Sequence, residues 1–356
     1  MNPLIIRADA TSEIGTGHVM RCLALAQAWL DKGGKVVFIS HCESDALRQR
    51  IRAEGIDFIS LDKSHPDPFD WNLTRGILDK LKTRGTKCHP WLVVDGYHFD
   101  AEYQKSIKAA GYKLLWFDDC GHAAHYYADL VLNQNISADP SLYSNREPYT
   151  QLLLGTRYAL LRREFERWQG WQREISPVAR KVLVTLGGGD PDNVTLKVIQ
   201  ALKQVDVPGL EARIIVGPAN PHREKLDLEV GGDKHLQLFK NAANMPELIS
   251  WADLAICAGG GTFYELAFMQ LSSCVIVIAE NQKLNVAYLE KQKLCLNIGC
   301  LHSLNINEIS KAVRRLIFNE KLRKEMSGKL RGTVDGLGTS RIIFEILRYG
   351  NKHGKQ

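Results

Sequence analysis

The chain has 356 residues, 45% hydrophobic and 24% charged, with a formal net charge of +6. This is a soluble globular composition, and the length makes two domains the default. The mild positive charge forms no basic run, which speaks against nucleic acid and fits an anionic small substrate; no apolar run reaches the ~18 residues of a membrane span.

The first candidate strand, residues 4–8, begins at Leu4-Ile5-Ile6 with no signal peptide ahead of it. It runs into Ile14-Gly15-Thr16-Gly17-His18, and a helical pattern follows through Leu23, Leu25 and Ala26. A glycine turn before a helix leaves backbone N–H groups converging on one point, a place for phosphate. His18 puts a proton acceptor at its mouth. A tight turn with no ligand is the alternative. The spacing Gly15-x-Gly17-x-x-Met20 lacks the third glycine of a dinucleotide fingerprint, and the nearest acid after the second strand is Glu43, which argues against NAD. No P-loop motif occurs.

Further candidate strands are 35–40, 57–61, 91–95, 113–118 and 129–132, with amphipathic segments such as Phe69 to Leu81 and Ala101 to Ala110 between them. Near-continuous apolar strands alternating with helices predict a parallel sheet covered on both faces. Asp95, Tyr97, Asp118 and Asp119 fall at the same strand-end edge as His18. A charged, Trp-bearing stretch from Arg162 to Arg180 reads as a linker. A second alternation has strands at 181–186, 211–216, 235–239, 253–257 and 274–278, then a mostly helical tail from Ile306 to Tyr349. The expected domains are 1–165, a linker at 166–180, and 181–350. Two doubly wound α/β domains suggest a cleft, with ligands at the carboxyl ends of the strands.

The second glycine cluster, Gly187-Gly188-Gly189, leads into Asp190-Pro191-Asp192-Asn193, where Asp192 or Asn193 is expected to cap a helix. Asp190-x-Asp192 also spells a metal-nucleotide motif of some sugar transferases, but proline between the acids favours a turn. The third cluster, Gly259-Gly260-Gly261-Thr262, lets a diphosphate approach the backbone, and Thr262 adds a hydroxyl. Glu265 in the first helical turn fits either the helix dipole or a ribose. Asn281 and Gln282 fit either a turn or the reading of sugar hydroxyls and acetamido groups.

Eight cysteines (22, 42, 88, 120, 257, 274, 295, 300) form no Cys-x-x-Cys pair, and several lie in apolar strands. They read as buried free thiols of a reducing cytoplasm. His41, His65, His122 and His125 lack zinc-ligand spacing, so no metal site is expected. There is no nucleophile elbow and no thiol-centred motif.

Seven segments in order from residue 7 to residue 282 resemble a known family. They are RADATSEIGTGHVMRCLALA, VVDGYHFD, FDDCGHAAHYYADLVLNQN, LLLGTRYALLRREF, LVTLGGGDPDN, MPELISWADLAICAGGGTFYELAF and VIVIAENQ. The family is the PseG/SpsG-like UDP-sugar hydrolases of pseudaminic acid (nonulosonate) biosynthesis, related in fold to the peptidoglycan N-acetylglucosaminyl transferase. The resemblance implies a GT-B architecture, two Rossmann-like domains facing a cleft. It implies hydrolysis of UDP-2,4-diacetamido-2,4,6-trideoxy-β-L-altropyranose to UDP and free sugar, without a cofactor. Carried onto matching positions, His18 is the general base and Tyr97 lines the sugar site. Gly259 to Thr262 hold the diphosphate, and Glu265 binds ribose. Met245 lies near uracil, and Asn281 and Gln282 face the sugar. Gly261 stands where the family's turn often has serine, which removes a hydroxyl but keeps the backbone donors.

A glycosidase usually needs two carboxyl groups. A UDP leaving group removes the need for the acid, because glycine-loop amides stabilise its charge. One base then suffices, and an ordinary imidazole, titrating near pH ~6.5, suits it. Direct attack by water inverts the anomeric carbon, and no metal is required. Gly15, Gly17, Gly188 and Gly189 are further substrate-loop candidates. Arg7 and Arg21 are candidates to neutralise phosphate, though Arg21 also fits a structural partner for a nearby carboxylate. The alternatives are a GT-B glycosyltransferase using a UDP-amino sugar, a nucleotide-sugar epimerase, and a non-catalytic nucleotide-sugar-binding protein. The expected ligands are UDP-sugar and UDP, with no nucleic acid and no integral membrane segment. Oligomeric state is left open.

Overall fold

Runs such as Leu4–Ala8 and Trp91–Asp95 are buried at every position, which requires a sheet covered on both faces. The computed structural model describes residues 2–82, 90–240, 242 and 244–353, so Cys88 lies outside the described residues. The chain divides into two units. One comprises Met1–Thr11, His18–Arg163 and Leu337–Gln356; the other comprises Ser12–Gly17 and Glu164–Gly336.

The first unit holds strands β1 (Leu4–Ala8), β2 (Val36–Ser40), β3 (Asp57–Ser60), β4 (Trp91–Asp95), β5 (Lys113–Phe117), β6 (Leu130–Asn133) and β7 (Gln151–Leu154). They pair in parallel in the order β3-β2-β1-β4-β5-β6-β7. Helix α1 spans Gly17–Asp31, α2 Asp45–Ala53, α3 Asp70–Lys82 and α4 Ala101–Ala109. Side chains alternate across the sheet: Leu4, Ile6 and Ala8 pack on one face with Trp29 of α1, and Ile5 packs on the other with Leu78 of α3 and Ile107 of α4.

The second unit holds β8 (Lys181–Thr185), β9 (Glu211–Val216), β10 (Leu236–Lys240), β11 (Leu254–Ala258), β12 (Ser273–Val277) and β13 (Leu296–Cys300). Their order is β10-β9-β8-β11-β12-β13, again parallel. Its helices are α5 (Val194–Lys203), α6 (Arg223–Val230), α7 (Met245–Trp251), α8 (Thr262–Phe268), α9 (Lys283–Lys291), α10 (Ile306–Phe318) and α11 (Glu320–Leu330). The last helix, α12, spans Gly338–His353.

The expected boundaries put the helical tail with the C-terminal domain, but α12 belongs to the first unit. Its Ile342, Ile343, Ile346 and Tyr349 are buried in the first sheet's core with Trp29, Trp91 and Leu153. Burying such side chains contributes about 1.5–3 kcal/mol each. The stretch expected as a linker is tied down within the second unit. Arg173 donates to the carbonyls of Met269 (2.9 Å) and Ile249 (2.7 Å). Arg323 donates to the Ile317 carbonyl at 2.7 Å, at the end of α10, and to that of Pro177 at 3.1 Å.

The cap of α5 is also corrected. Asp190, rather than Asp192 or Asn193, supplies it: its carboxylate accepts from the N–H of Val194 (2.8 Å) and Thr195 (2.9 Å). Asn193 makes no side-chain cap bond because its backbone is left-handed, φ 54°. Asp190 is buried and Asp192 exposed, so the two acids form a turn and cap.

Candidate functional site

In both sheets the strand order reverses beside the first strand of the unit, at β1/β4 and at β8/β11. In open parallel sheets the loops at the carboxyl ends on either side of such a point are where ligands bind. Each unit has its own cluster of polar groups there.

In the first unit, α1 supplies His18 and Arg21, and the end of β4 supplies Asp95. His18 Nδ1 lies 2.7 Å from Asp95 Oδ1. The nitrogen facing the carboxylate is the one that donates, so in a neutral ring Nε2 is the acceptor. Arg21 grips the same carboxylate, Nε to Oδ2 at 2.6 Å and Nη2 to Oδ1 at 2.7 Å. Its Nη1 donates to both oxygens of Asp119 at 2.8 and 2.9 Å. Arg21 is thus held between two carboxylates, as the structural alternative for it anticipates.

Tyr97, after β4, donates its hydroxyl to Asp119 and sets its ring edge-on to His18 at 4.8 Å. Asn135 also donates to Asp119, at 2.8 Å. Gly96 lets this turn form: its φ is +151°, and a Cβ there would meet His98 Cε1 at 2.5 Å. Burial alone would raise the Asp95 carboxyl, but the charges of Arg21 and then His18 outweigh it and hold it well below the usual carboxylate range. Burial, reinforced by Asp119, pushes the Tyr97 phenol up, so it stays a neutral donor.

Arg7 does not reach this cluster as a phosphate ligand. It is fully buried, with Nη2 donating to Asp9 at 2.9 Å and Nε to Asp70 at 3.0 Å. Asp9 in turn contacts His98 Nε2 at 2.9 Å.

One set of potential metal ligands occurs among the described residues: Asp118, Cys120 and His122 bring three ligand atoms within 4.8 Å of one another. The Asp118 oxygens are already engaged. Oδ1 accepts from the N–H of Cys120 and Gly121, both at 2.7 Å, and Oδ2 accepts from Tyr126 at 2.6 Å. Burial, then Asp118 and Asp119, push the Cys120 thiol up to about 11. The set is better described as a locked turn. Among the other described cysteines, 22, 42, 257, 274 and 295 are buried free thiols.

In the second unit, Gly259, Gly260 and Gly261 join β11 to α8. Phe263 and Tyr264 bond back to the carbonyls of Gly260 and Gly261, both at 3.0 Å. The N–H groups of Gly260, Gly261 and Thr262 precede that ladder, as helix-start donors. Gln282 braces the turn: its Oε1 accepts from the N–H of Gly259 and of Ile278, both at 3.2 Å. Asn285 adds a second brace, donating to the Gly259 carbonyl at 3.3 Å and accepting from Tyr264 at 3.0 Å.

Gly259 leaves no room for a side chain, since a Cβ would lie 2.3 Å from Val286 Cγ2. Gly259→Ala is expected to cost about 1–3 kcal/mol through overpacking. Thermal melts should find Val286→Ala less harmful in that background than alone; strict additivity would deny the clash.

The other expected residues are dispersed over these elements. Glu265 is half-buried in the first turn of α8, Met245 is buried at the start of α7, and Asn281 sits in a short 3-10 turn, Glu280–Gln282. Gly188 and Gly189 follow β8; Gly15, with φ +76°, precedes Gly17, the first residue of α1. Asp95 and Asp119 were legible as strand-end acids without an assigned role. Asn285 gave no signal, because it sits within the regular helix α9.

Residues 182–336 match the glycosyltransferase family 28 C-terminal domain. The spore coat polysaccharide biosynthesis protein SpsG of Bacillus subtilis is 25% identical over 95% of each chain. The UDP-2,4-diacetamido-2,4,6-trideoxy-beta-L-altropyranose hydrolase of Campylobacter jejuni is 24% identical over 81% of this chain and 96% of its own. An uncharacterized protein of Methanocaldococcus jannaschii is 25% identical over 78% of this chain, and the match spans 56% of that longer protein. Among solved structures, S. aureus MnaA with UDP aligns with a TM-score of 0.70 at 13% identity, over 100% of this chain and 99% of that one. Acinetobacter baumannii MurG aligns at 0.64 and 17%, over 98% and 100%. The chain thus has a GT-B-type fold of two Rossmann-like units, its residues 182–336 match the family 28 C-terminal domain, and it aligns over most of its length with SpsG and the UDP-diacetamido-trideoxy-altropyranose hydrolase at 24–25% identity.

Proposed function

We propose that the protein hydrolyses UDP-2,4-diacetamido-2,4,6-trideoxy-β-L-altropyranose to UDP and the free sugar, in pseudaminic acid biosynthesis in the cytoplasm. The observation that carries this reading is the His18–Asp95 pair, in which one imidazole nitrogen is anchored at 2.7 Å and the other is left to accept a proton. The name of the Campylobacter jejuni relative supports the substrate. No helix among the described residues is long and apolar enough to cross a membrane.

In this scheme water attacks the anomeric carbon and its proton passes to His18 Nε2. The bond from that carbon to the UDP oxygen breaks, its electron pair leaves with UDP, and the configuration inverts. The Gly259–Thr262 turn carries the diphosphate on its N–H groups, where preorganised donors stabilise the departing charge. Glu265 takes the ribose hydroxyls, Met245 packs on uracil, and Gly15, Gly17, Gly188 and Gly189 complete the loops around the substrate. Tyr97, Asn281 and Gln282 face the sugar. Gln282 has its carbonyl oxygen committed to the backbone, so it offers the sugar its amide N–H.

The test is UDP release without acceptor or metal, with the sugar followed by NMR. Stoichiometric UDP and free sugar, inverted at first appearance, are the expected products, and turnover should persist in EDTA. Loss in EDTA that Mg²⁺ restores would overturn the metal-free scheme.

The second reading is a glycosyltransferase that passes a UDP-amino sugar to an alcohol deprotonated by His18. The family 28 match is what favours it. Turnover only with an added acceptor would select it. UDP binding without any turnover would select a binding protein.

A further inference from the structure

We propose that Asp119 is a positioning residue that sets the charge of the His18 site, acting through Arg21. The inference rests on the proposed role of His18 as a base. A base must become a cation, and its surroundings decide how readily it does so.

Among the described residues of the first unit, the groups around His18 include the following. Asp95 ends β4 and meets His18 Nδ1 at 2.7 Å. Arg21 lies one turn along α1, with Nη2 3.4 Å from the same nitrogen. Tyr97, in the turn after β4, is a neutral ring, with His122 on another edge of it at 5.6 Å. The Cys22 thiol points to Asp95 at 3.6 Å, and burial followed by Asp95 keeps it protonated. Asp119 stands beyond Arg21.

Counting charges shows why Asp119 matters. Asp95 and Arg21 together sum to zero, and an imidazolium formed beside them would face a guanidinium with no net compensation. Asp119 brings the cluster to −1. The proton taken from water then completes a neutral set: two carboxylates, one guanidinium and one imidazolium. Arg21 Nη1 is shared between both Asp119 oxygens, at 2.8 and 2.9 Å, which holds the countercharge against the guanidinium. The same carboxylate accepts from Tyr97 and Asn135, which hold it from two further sides. The charge that readies the base therefore comes from a residue that does not touch it.

Removing that charge should weaken the hold of His18 on a proton. Asp119→Asn keeps the shape and an acceptor oxygen but deletes the charge. In the substrate-free protein, NMR of the His18 ring should show its titration moving to lower pH by about one unit. The acid limb of kcat/KM should move the same way and kcat should fall, with KM changing less. Asp119→Glu should restore much of both. Arg21→Gln deletes the opposing charge and should move the titration to higher pH.

These opposite signs are the discriminating result. An unchanged His18 titration in folded Asp119→Asn would overturn the proposal and leave Asp119 as a tether for Tyr97. If Asp119→Asn fails to fold, Asp119→Ser decides in its place, and an unchanged His18 titration in that folded variant refutes the proposal. The NMR readout needs no substrate, so it separates failure here from failure of the hydrolase reading, which the UDP-release assay decides.

Discussion

Replacing His18 by asparagine is expected to lower kcat by roughly 10²–10⁴, the range typical of losing a general base. Asparagine can keep a hydrogen bond to Asp95 but has no nitrogen able to accept a proton. His18 is buried, yet the packing of α1 rests on Val19, Cys22, Leu23 and Trp29, so the fold should survive. UDP release, the melting temperature and UDP affinity should be measured together. Near-normal turnover in a folded variant removes His18 from the mechanism. Lost UDP affinity with intact single-turnover chemistry would move its role to binding.

The second large effect belongs to Asp95. It is fully buried and shared by His18 and Arg21, so Asp95→Asn combines a catalytic loss with a stability loss. Breaking a buried ion pair costs about 3–5 kcal/mol. Because Arg21 keeps Asp119, the lower end is expected, a fall in melting temperature of roughly 6–12 °C. Turnover should drop on the scale of the His18 variant, since an unanchored ring no longer presents one nitrogen. The pH dependence has a defined sign. The folded carboxyl titrates below its unfolded value of about 3.9, so the unfolded chain binds the proton more tightly. The stabilisation is fully present above that unfolded value and is lost as pH falls below it. Asp9, where the bond from His98 and the charge of Arg7 outweigh burial, adds to the same trend. Melts from pH 7 to 3 should fall in the wild type and fall less in Asp95→Asn. A parallel decline in both would mean that Asp95 carries no pH-dependent stability.

Much of this architecture was legible because parallel strands buried on both faces leave an unbroken apolar signature. Strands such as Leu4–Ala8 and Glu211–Val216 coincide with the runs read from the sequence. Two strands that the sequence reading did not expect are β7 and β13, each at one edge of its sheet. An edge strand packs on fewer neighbours. β13 is half-buried throughout, includes Gly299 with φ +109°, and shifts register against β12. The site was legible as a set of strand-end polar residues, but its wiring was not. Nothing local in Asp118-Asp119 tells which acid locks its own turn and which reaches Arg21, 98 positions away. The α5 cap was misplaced for a similar reason: two left-handed residues, Asp190 and Asn193, re-aim the side chains that a regular turn would present. The attachment of α12 depends on residues as far away in sequence as Trp29 and Trp91, which periodicity does not record.

That attachment governs how the gene can be cut. A product ending at Gly336 would retain the complete second sheet yet strip Ile342, Ile343 and Ile346 from the first, baring an oily surface prone to aggregation. A hybrid that exchanges the segment 164–336 with a homologue leaves that cover in place. Changes made after Gly336 therefore report on the unit bearing His18, although His18 lies at the other side of the sequence.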